Sequence, residues 1–171
     1  MIIDVHTHFF PPGYLEALRR DPDPYAIDRV ARIVLSGVFE RLPELAVILG
    51  HLGGTLPYLM QRLDNGYRAY PETRGGIPHP PSHYLRRLYY DTVSFSVPSL
   101  RCALEAVGPG QIVMGTDYPH VIGDIDAALD SVPALGLRDE EVAGILGETA
   151  ARLFPRLARS AGQAALGDED V

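Results

Sequence analysis

The stretch LAVILGHLGGTLPYLMQRL, residues 45–63, changes character at its centre. Leu45–Leu49 is a continuous apolar run, as expected of a parallel strand covered on both faces. His51 follows, then Gly53 and Gly54, which allow a close backbone approach or a positive φ at a junction. From there Leu59, Met60 and Leu63 recur at helical spacing, with Thr55 placed to cap the helix and Pro57 in its first turn. The stretch reads as a strand feeding a helix through a tight turn, with a histidine on the rim where the strand ends.

Three more short β-rich runs lie outward from it: Ile2–Val5, Leu88–Val93 and Gln111–Met114. Helical patterns separate them. Ala26, Val30, Ile33, Val34, Gly37 and Val38 follow helical spacing and stop at Pro43. Ser99–Val107 ends at the Gly-Pro-Gly turn of residues 108–110, and Asp124–Leu135 and Asp139–Leu157 complete the helical end, with Asp139 as a cap. Strands that alternate with helices predict a parallel sheet of βα units. Residues 71–83, PETRGGIPHPPSH, read as a Pro/Gly-rich loop. The spacing predicts one domain over residues 1–158 and a flexible tail over 159–171.

The bulk numbers suit a soluble chain. It has 171 residues, 46% hydrophobic and 22% charged, with formal net charge -7. The acidic balance argues against a nucleic-acid partner, which needs clustered Lys and Arg. No apolar stretch reaches the roughly 18 residues of a membrane span, and Asp4 stands where a secretory signal would be basic. Cys102, the only cysteine, excludes an internal disulfide. It is expected in buried packing, with a catalytic thiol as the alternative. A cytoplasmic setting fits these features.

Side chains on a strand alternate faces, so in IIDVHTHFF (residues 2–10) Asp4, His6 and His8 point the same way. Two imidazoles one residue apart can converge on one ion, or can form a polar rim. His51 is the second candidate. The third is Asp117 in IVMGTDYPH (residues 112–120), a metal ligand or general base if it is not a helix cap or a loop ion pair. Asp91 in LYYDTVSFS (residues 88–96) is expected in a structural hydrogen-bonding role. Position strengthens the set. His6 and His8, His51 and Asp117 each end a different predicted parallel strand, the edge where βα-barrel enzymes place catalytic groups.

Five segments, DVHTHFFPPGYLEAL, LSGVFERLPELAVILGHLGGTLPYLMQRLDNGY, LYYDTVSFS, QIVMGTDYPHVIGDIDAAL and GETAARLF, together resemble in order the amidohydrolase-related metal-dependent enzymes. The branch they are most similar to contains aminocarboxymuconate-semialdehyde decarboxylase and related aromatic-acid decarboxylases. The resemblance implies a (β/α)8 barrel, with His6, His8 and Asp117 as metal ligands and His51 as the catalytic acid/base. It implies a divalent cation, Zn²⁺ first and Mn²⁺ as the alternative, that polarises a substrate oxygen or readies water for attack. Decarboxylation of a small unsaturated or aromatic carboxylic acid is the implied reaction. Hydrolysis of a lactone or amide, or an impaired shortened remnant serving as an interaction module, are the alternatives. Tyr118 and His120 are expected to shape the substrate pocket.

The chain also departs from the family. Such a barrel typically needs ~250 residues, against 171 here, and the shortfall falls between Tyr25 and Ala26. A further ligand histidine of the family has no counterpart, because no histidine lies between His8 and His51. The early-strand arginines that often bind substrate carboxylates lie in the same shortfall. His120 is the best internal substitute for the ligand, ahead of His79 and His83, which precede the third strand. Thr149 replaces an asparagine of the late motif.

The fold class expected is therefore α/β, a partial (β/α) barrel of about four parallel strands. They would form an open arc in the order second-third-fourth-first, with helices outside. Open edges and a bare face are templates for association, so a homo-oligomer or a partner covering the open barrel face is expected. Sedimentation should show a species larger than the monomer; a compact monomer without dye-binding apolar surface contradicts it.

Overall fold

The computed structural model describes residues 1–6, 33–74 and 76–156. Three short strands, β1 (Ile48–Leu49), β2 (Tyr89–Asp91) and β3 (Ile112–Val113), form a parallel sheet in the order β1-β2-β3. The register sets Ile48 against Tyr89 and Leu49 against Tyr90, then Tyr90 against Ile112 and Asp91 against Val113.

The opening residues run along the far side of β3. The Val5 N–H donates to the Met114 carbonyl at 3.0 Å and the Asp117 N–H to the His6 carbonyl at 2.9 Å, so both segments advance in the same sense. The Ile3 N–H turns instead to the Leu146 carbonyl, at 2.8 Å. Residues 1–6 therefore occupy the fourth place of the arc, in the expected order, as an irregular segment rather than a regular strand.

Helices precede and follow the strands: α1 (Val38–Arg41), α2 (Leu56–Ala69), α3 (Pro81–Leu85), α4 (Val97–Val107), α5 (Ile125–Ser131), α6 (Asp139–Ala143), a π-helical turn at Gly144–Glu148, and α7 (Thr149–Leu153). Leu49, Tyr90 and Ile112 of the sheet pack with Leu56, Leu100 and Ile145 in one core. Tyr90 is fully buried, and its hydroxyl donates to the Leu85 carbonyl at 2.8 Å. Strand-to-helix repeats on a parallel sheet make this a partial (β/α) barrel.

Several local expectations need correction. The periodic run through Val38 is not one helix in its described part. Gly37 stands at φ 73 in a turn at residues 36–37 between helical residues 33–35 and α1, and a Cβ there would meet the Gly76 carbonyl oxygen at 2.9 Å. Thr55 precedes α2 without a side-chain cap, because its φ of -89 and ψ of 0 lie outside the extended region a capping hydroxyl requires. Asp139 is the first residue of α6 rather than its cap; Arg138 holds that place, and its N–H donates to Glu141 Oε2 at 3.1 Å. Asp124 does cap α5, accepting the Ala127 N–H at 2.8 Å. The segment 71–83 contains a 3₁₀ turn at Pro71–Arg74 and the start of α3. Pro133 supplies no N–H and closes α5, leaving a 3₁₀ turn at Pro133–Leu135. Cys102 is a half-buried free thiol in α4. No described helix is long and apolar enough to cross a membrane. The expected boundary at residue 158 and the tail beyond it lie outside the described residues.

Candidate metal centre

Parallel strands end at one edge, and four side chains meet there. His6 closes the opening segment, His51 follows β1, Asp91 closes β2 and Asp117 lies beyond β3. His6 Nε2 stands 3.3 Å from Asp117 Oδ1, and the His6 and His51 rings are 4.9 Å apart, inclined at 51°. His6, His51 and Asp117 each offer one ligand atom, and these atoms all lie within 4.8 Å of one another. They are the one such group of His, Cys, Asp and Glu among the described residues. His8 lies outside the described residues.

The donor set fits a divalent cation. Imidazole nitrogen and carboxylate oxygen bind zinc at about 2.0–2.2 Å, so ligands on opposite sides of one ion sit at most about 4.4 Å apart. In a tetrahedral site such donors stand about 3.4 Å apart, the separation that His6 Nε2 and Asp117 Oδ1 already have at 3.3 Å, with the His51 donor further out.

Two carboxylates knit this edge together. Asp91 is fully buried. Its Oδ1 accepts the Leu52 N–H at 2.8 Å and the Val93 N–H at 3.0 Å, while Oδ2 accepts the His51 N–H at 3.1 Å and hydrogen-bonds His6 Nδ1. Asp4 accepts the His6 N–H at 3.0 Å and the Thr116 N–H at 3.1 Å on Oδ1, and hydrogen-bonds the Thr116 hydroxyl through Oδ2. The expected hydrogen-bonding role of Asp91 is thus what the structure shows, and it reaches further, since it touches both histidines. Strand alternation places Asp4 on the face of His6, but its grip on Thr116 has no sequence signal beyond that.

Glycine lets the histidine cross the sheet. To reach Asp91 on β2, His6 must pass over the end of β3 at Gly115, where a Cβ would meet His6 Cβ at 2.8 Å and Asp91 Cβ at 3.2 Å. The close approach requires a residue without a side chain. The backbone also bends out of common conformations here, with φ 54 at His51 and Leu52 and φ 61 at Asp117. Each such left-handed residue costs about 1–2 kcal/mol when it is not glycine. Strain of this kind persists where surrounding bonds over-determine it, and the Asp91 carboxylate supplies them at His51 and Leu52.

The electrostatics follow from the same contacts. The hydrogen bond to Asp91 raises the His6 pKa above the ordinary histidine value, with help from the negative charges of Asp91, Asp117 and Asp4 and against the pull of desolvation. Asp117 is buried, while His51 is exposed on the rim. A cleft of about 260 Å³ lined by Val5, His6, Ile48, Gly50 and Asp91 opens beside them. A larger apolar cavity, about 330 Å³, shares no residue with it and lies among Val34, Leu59, Tyr67 and Leu85.

Of the remaining expected residues, Tyr118 and His120 sit exposed on the loop after Asp117, and the His120 N–H donates to the Asp117 carbonyl at 2.8 Å. Among the described residues His120 is not part of the ligand cluster. His79 and His83 face each other at 4.4 Å between ring centroids. Thr149 is buried, and its Oγ1 accepts from Arg152 Nη2 at 2.9 Å, so the substitution leaves a satisfied hydroxyl.

The chain is similar to several known proteins. The chain is 33% identical over 137 residues to a 6-methylsalicylic acid decarboxylase of Penicillium expansum, covering 78% of this chain and 42% of that one. It is 29% identical over 97 residues to a 2-amino-3-carboxymuconate-6-semialdehyde decarboxylase of Dictyostelium discoideum, covering 56% of this chain and 27% of the other. The 5-carboxyvanillate decarboxylase LigW from Sphingomonas paucimobilis superposes with a TM-score of 0.69 at 26% identity, over 91% of this chain and 49% of LigW. The chain thus spans less than half the length of these relatives. The sequence model of the amidohydrolases matches residues 23–156, which include His51, Asp91 and Asp117, and the chain belongs to that family.

Proposed function

We propose that the chain acts as a metal-dependent decarboxylase, a carbon–carbon lyase, on a small aromatic or unsaturated carboxylic acid. His6, His8 and Asp117 would hold the divalent cation, and His51 would be the acid/base. The observation that carries this reading is the gathering of His6, His51 and Asp117 ligand atoms within 4.8 Å at one sheet edge. The named activities of the relatives, all decarboxylations of carboxylic acids, support it.

The cation, when bound, orients the substrate and polarises one of its oxygens. The protein's own part is proton management. As the carboxylate leaves as carbon dioxide, the electron pair of the broken C–C bond stays on the substrate carbon. His51, exposed on the rim, delivers a proton to that carbon, and solvent restores the imidazolium. Asp117 keeps a fixed negative charge beside His6, and Tyr118 and His120 flank the entrance. Zinc is the first candidate cation for an imidazole-rich set; manganese is the alternative.

The test is the whole chain loaded with Zn²⁺ or Mn²⁺, dialysed, analysed for metal, and offered carboxylated aromatics and semialdehydes beside lactones and amides. Near-stoichiometric metal with carbon dioxide release is expected. Metal with lactone or amide cleavage would replace the lyase by a hydrolase. No metal retained at micromolar supply would leave the remnant or interaction module.

A further inference from the structure

Both histidines of the site converge on Asp91. An ionised carboxylate offers about four acceptor positions and no proton, and here all four are used. Two main-chain N–H groups, from Leu52 and Val93, take Oδ1; the His51 N–H and His6 Nδ1 share Oδ2. Because Oδ2 can only accept, the partner nitrogen of His6 must carry the proton. That leaves Nε2, the nitrogen 3.3 Å from Asp117 Oδ1, as the face His6 turns to the ligand cluster. The same oxygen holds the N–H of His51, whose φ of 54 aims its side chain from an uncommon backbone pose.

We propose that Asp91 is a positioning residue that sets two things with one carboxylate: the Nδ1-protonated tautomer of His6, and the backbone pose from which His51 works. The inference rests on the metal-dependent reading of the site and adds the group that couples its cation-binding nitrogen to its proton-relaying ring. A carboxylate that merely closed the turns after β1 and β2 would need its bonds to His51, Leu52 and Val93 but not the one to His6.

Asp91→Asn tests both roles together, because NH₂ in place of Oδ2 removes the acceptor of the His51 N–H and of His6 Nδ1. The amide keeps the shape and loses one acceptor. With its oxygen on the Leu52 and Val93 side, its NH₂ faces His6 and donates to Nδ1, which moves the His6 proton to Nε2 and blocks the cation. The reverse orientation sets the NH₂ against two N–H donors. Asp64→Asn is the control, since Asp64 is also buried but accepts the Ser82 N–H, at 2.9 Å, between α2 and α3.

The experiment uses the full chain with ¹⁵N-labelled histidine, metal-free and alkaline enough for neutral imidazole. The tautomer of His6 is read from its nitrogen shifts, Co²⁺ affinity from the visible absorbance on titration, and folding from the thermal melt. The parent and Asp64→Asn should show Nδ1–H. Asp91→Asn should show Nε2–H and bind Co²⁺ about 10–100-fold more weakly, the usual cost of losing a ligand's hydrogen-bond partner. A folded Asp91→Asn with parental tautomer and affinity overturns the proposal. If that variant does not fold, the parent decides alone: Nδ1–H supports the proposal and Nε2–H overturns it. If the parent takes up no Co²⁺, the metal reading falls, while the tautomer comparison still judges Asp91.

Discussion

Asp117→Asn should abolish metal retention and turnover while leaving the metal-free fold standing. Asp117 is buried and holds φ 61. Asparagine is among the few residues that visit this backbone region readily, so the main-chain bonds to His6 and His120 survive the change. What disappears is the negative charge 3.3 Å from His6 Nε2. Loss of a supporting partner alone costs about 10–100-fold in metal affinity, and loss of a ligand should exceed that. Metal analysis after dialysis, beside a melting curve of the metal-free protein, measures both halves; full metal retention in a folded variant would remove Asp117 from the centre. The pH dependence carries a definite sign. Folding raises the His6 pKa, chiefly through Asp91. The proton-linked stability of the metal-free chain is thus fully present below the unfolded histidine value and fades as pH rises through the raised one. Cation and proton compete for Nε2, so metal affinity should climb with pH over that same window and then level off. With Asn at 117 one of the charges that raises the His6 pKa is gone, and the window should move down.

Much of this arrangement was legible because strands and their ends announce themselves. The apolar run at residues 45–49 and the histidine after it placed β1 and the rim, and the Gly-Thr-Asp run after β3 placed Asp117 on the same edge. The arc order followed from the family resemblance, since closing a barrel sets its last strand beside its first. What could not be read lies in side-chain reach across the sheet. Nothing local tells that the Asp91 carboxylate binds a histidine 85 positions away. Gly115 offered a hint, since a glycine next to a strand marks a close approach, but only the partner's position says what approaches. Strand lengths were overestimated for a related reason. The apolar run at residues 45–49 begins before the ladder, where Leu45 is exposed, and the run at β2 continues past it because the turn there is itself buried, as Thr92 and Val93 show. The helix caps failed at Thr55 and Asp139 because capping depends on the backbone angles of one residue, which tertiary packing sets.

His51→Asn decides between the two roles that geometry allows this residue. Its ring is close enough to count as a third ligand, within 4.8 Å of the His6 and Asp117 donors, yet it stands exposed at the rim where a proton must be handed to substrate. Asparagine suits φ 54 as it does φ 61, and the main-chain N–H that Asp91 accepts is untouched, so folding should be parental. If His51 is the acid/base, metal content stays as in the parent and turnover drops by about 10²–10⁴-fold, the usual worth of a positioned proton donor. If it is a ligand, metal and turnover fall together. The acid/base outcome is expected for a physical reason. In the proposed site a cation held by His6, Asp117 and His8 would have its three protein ligands, as catalytic zinc sites typically do, with the next position left for substrate or water. Retained metal, lost carbon dioxide release and an unchanged melt would then assign the proton to His51, whereas metal lost in proportion to activity would move it into the coordination shell and leave the proton without a donor among these residues.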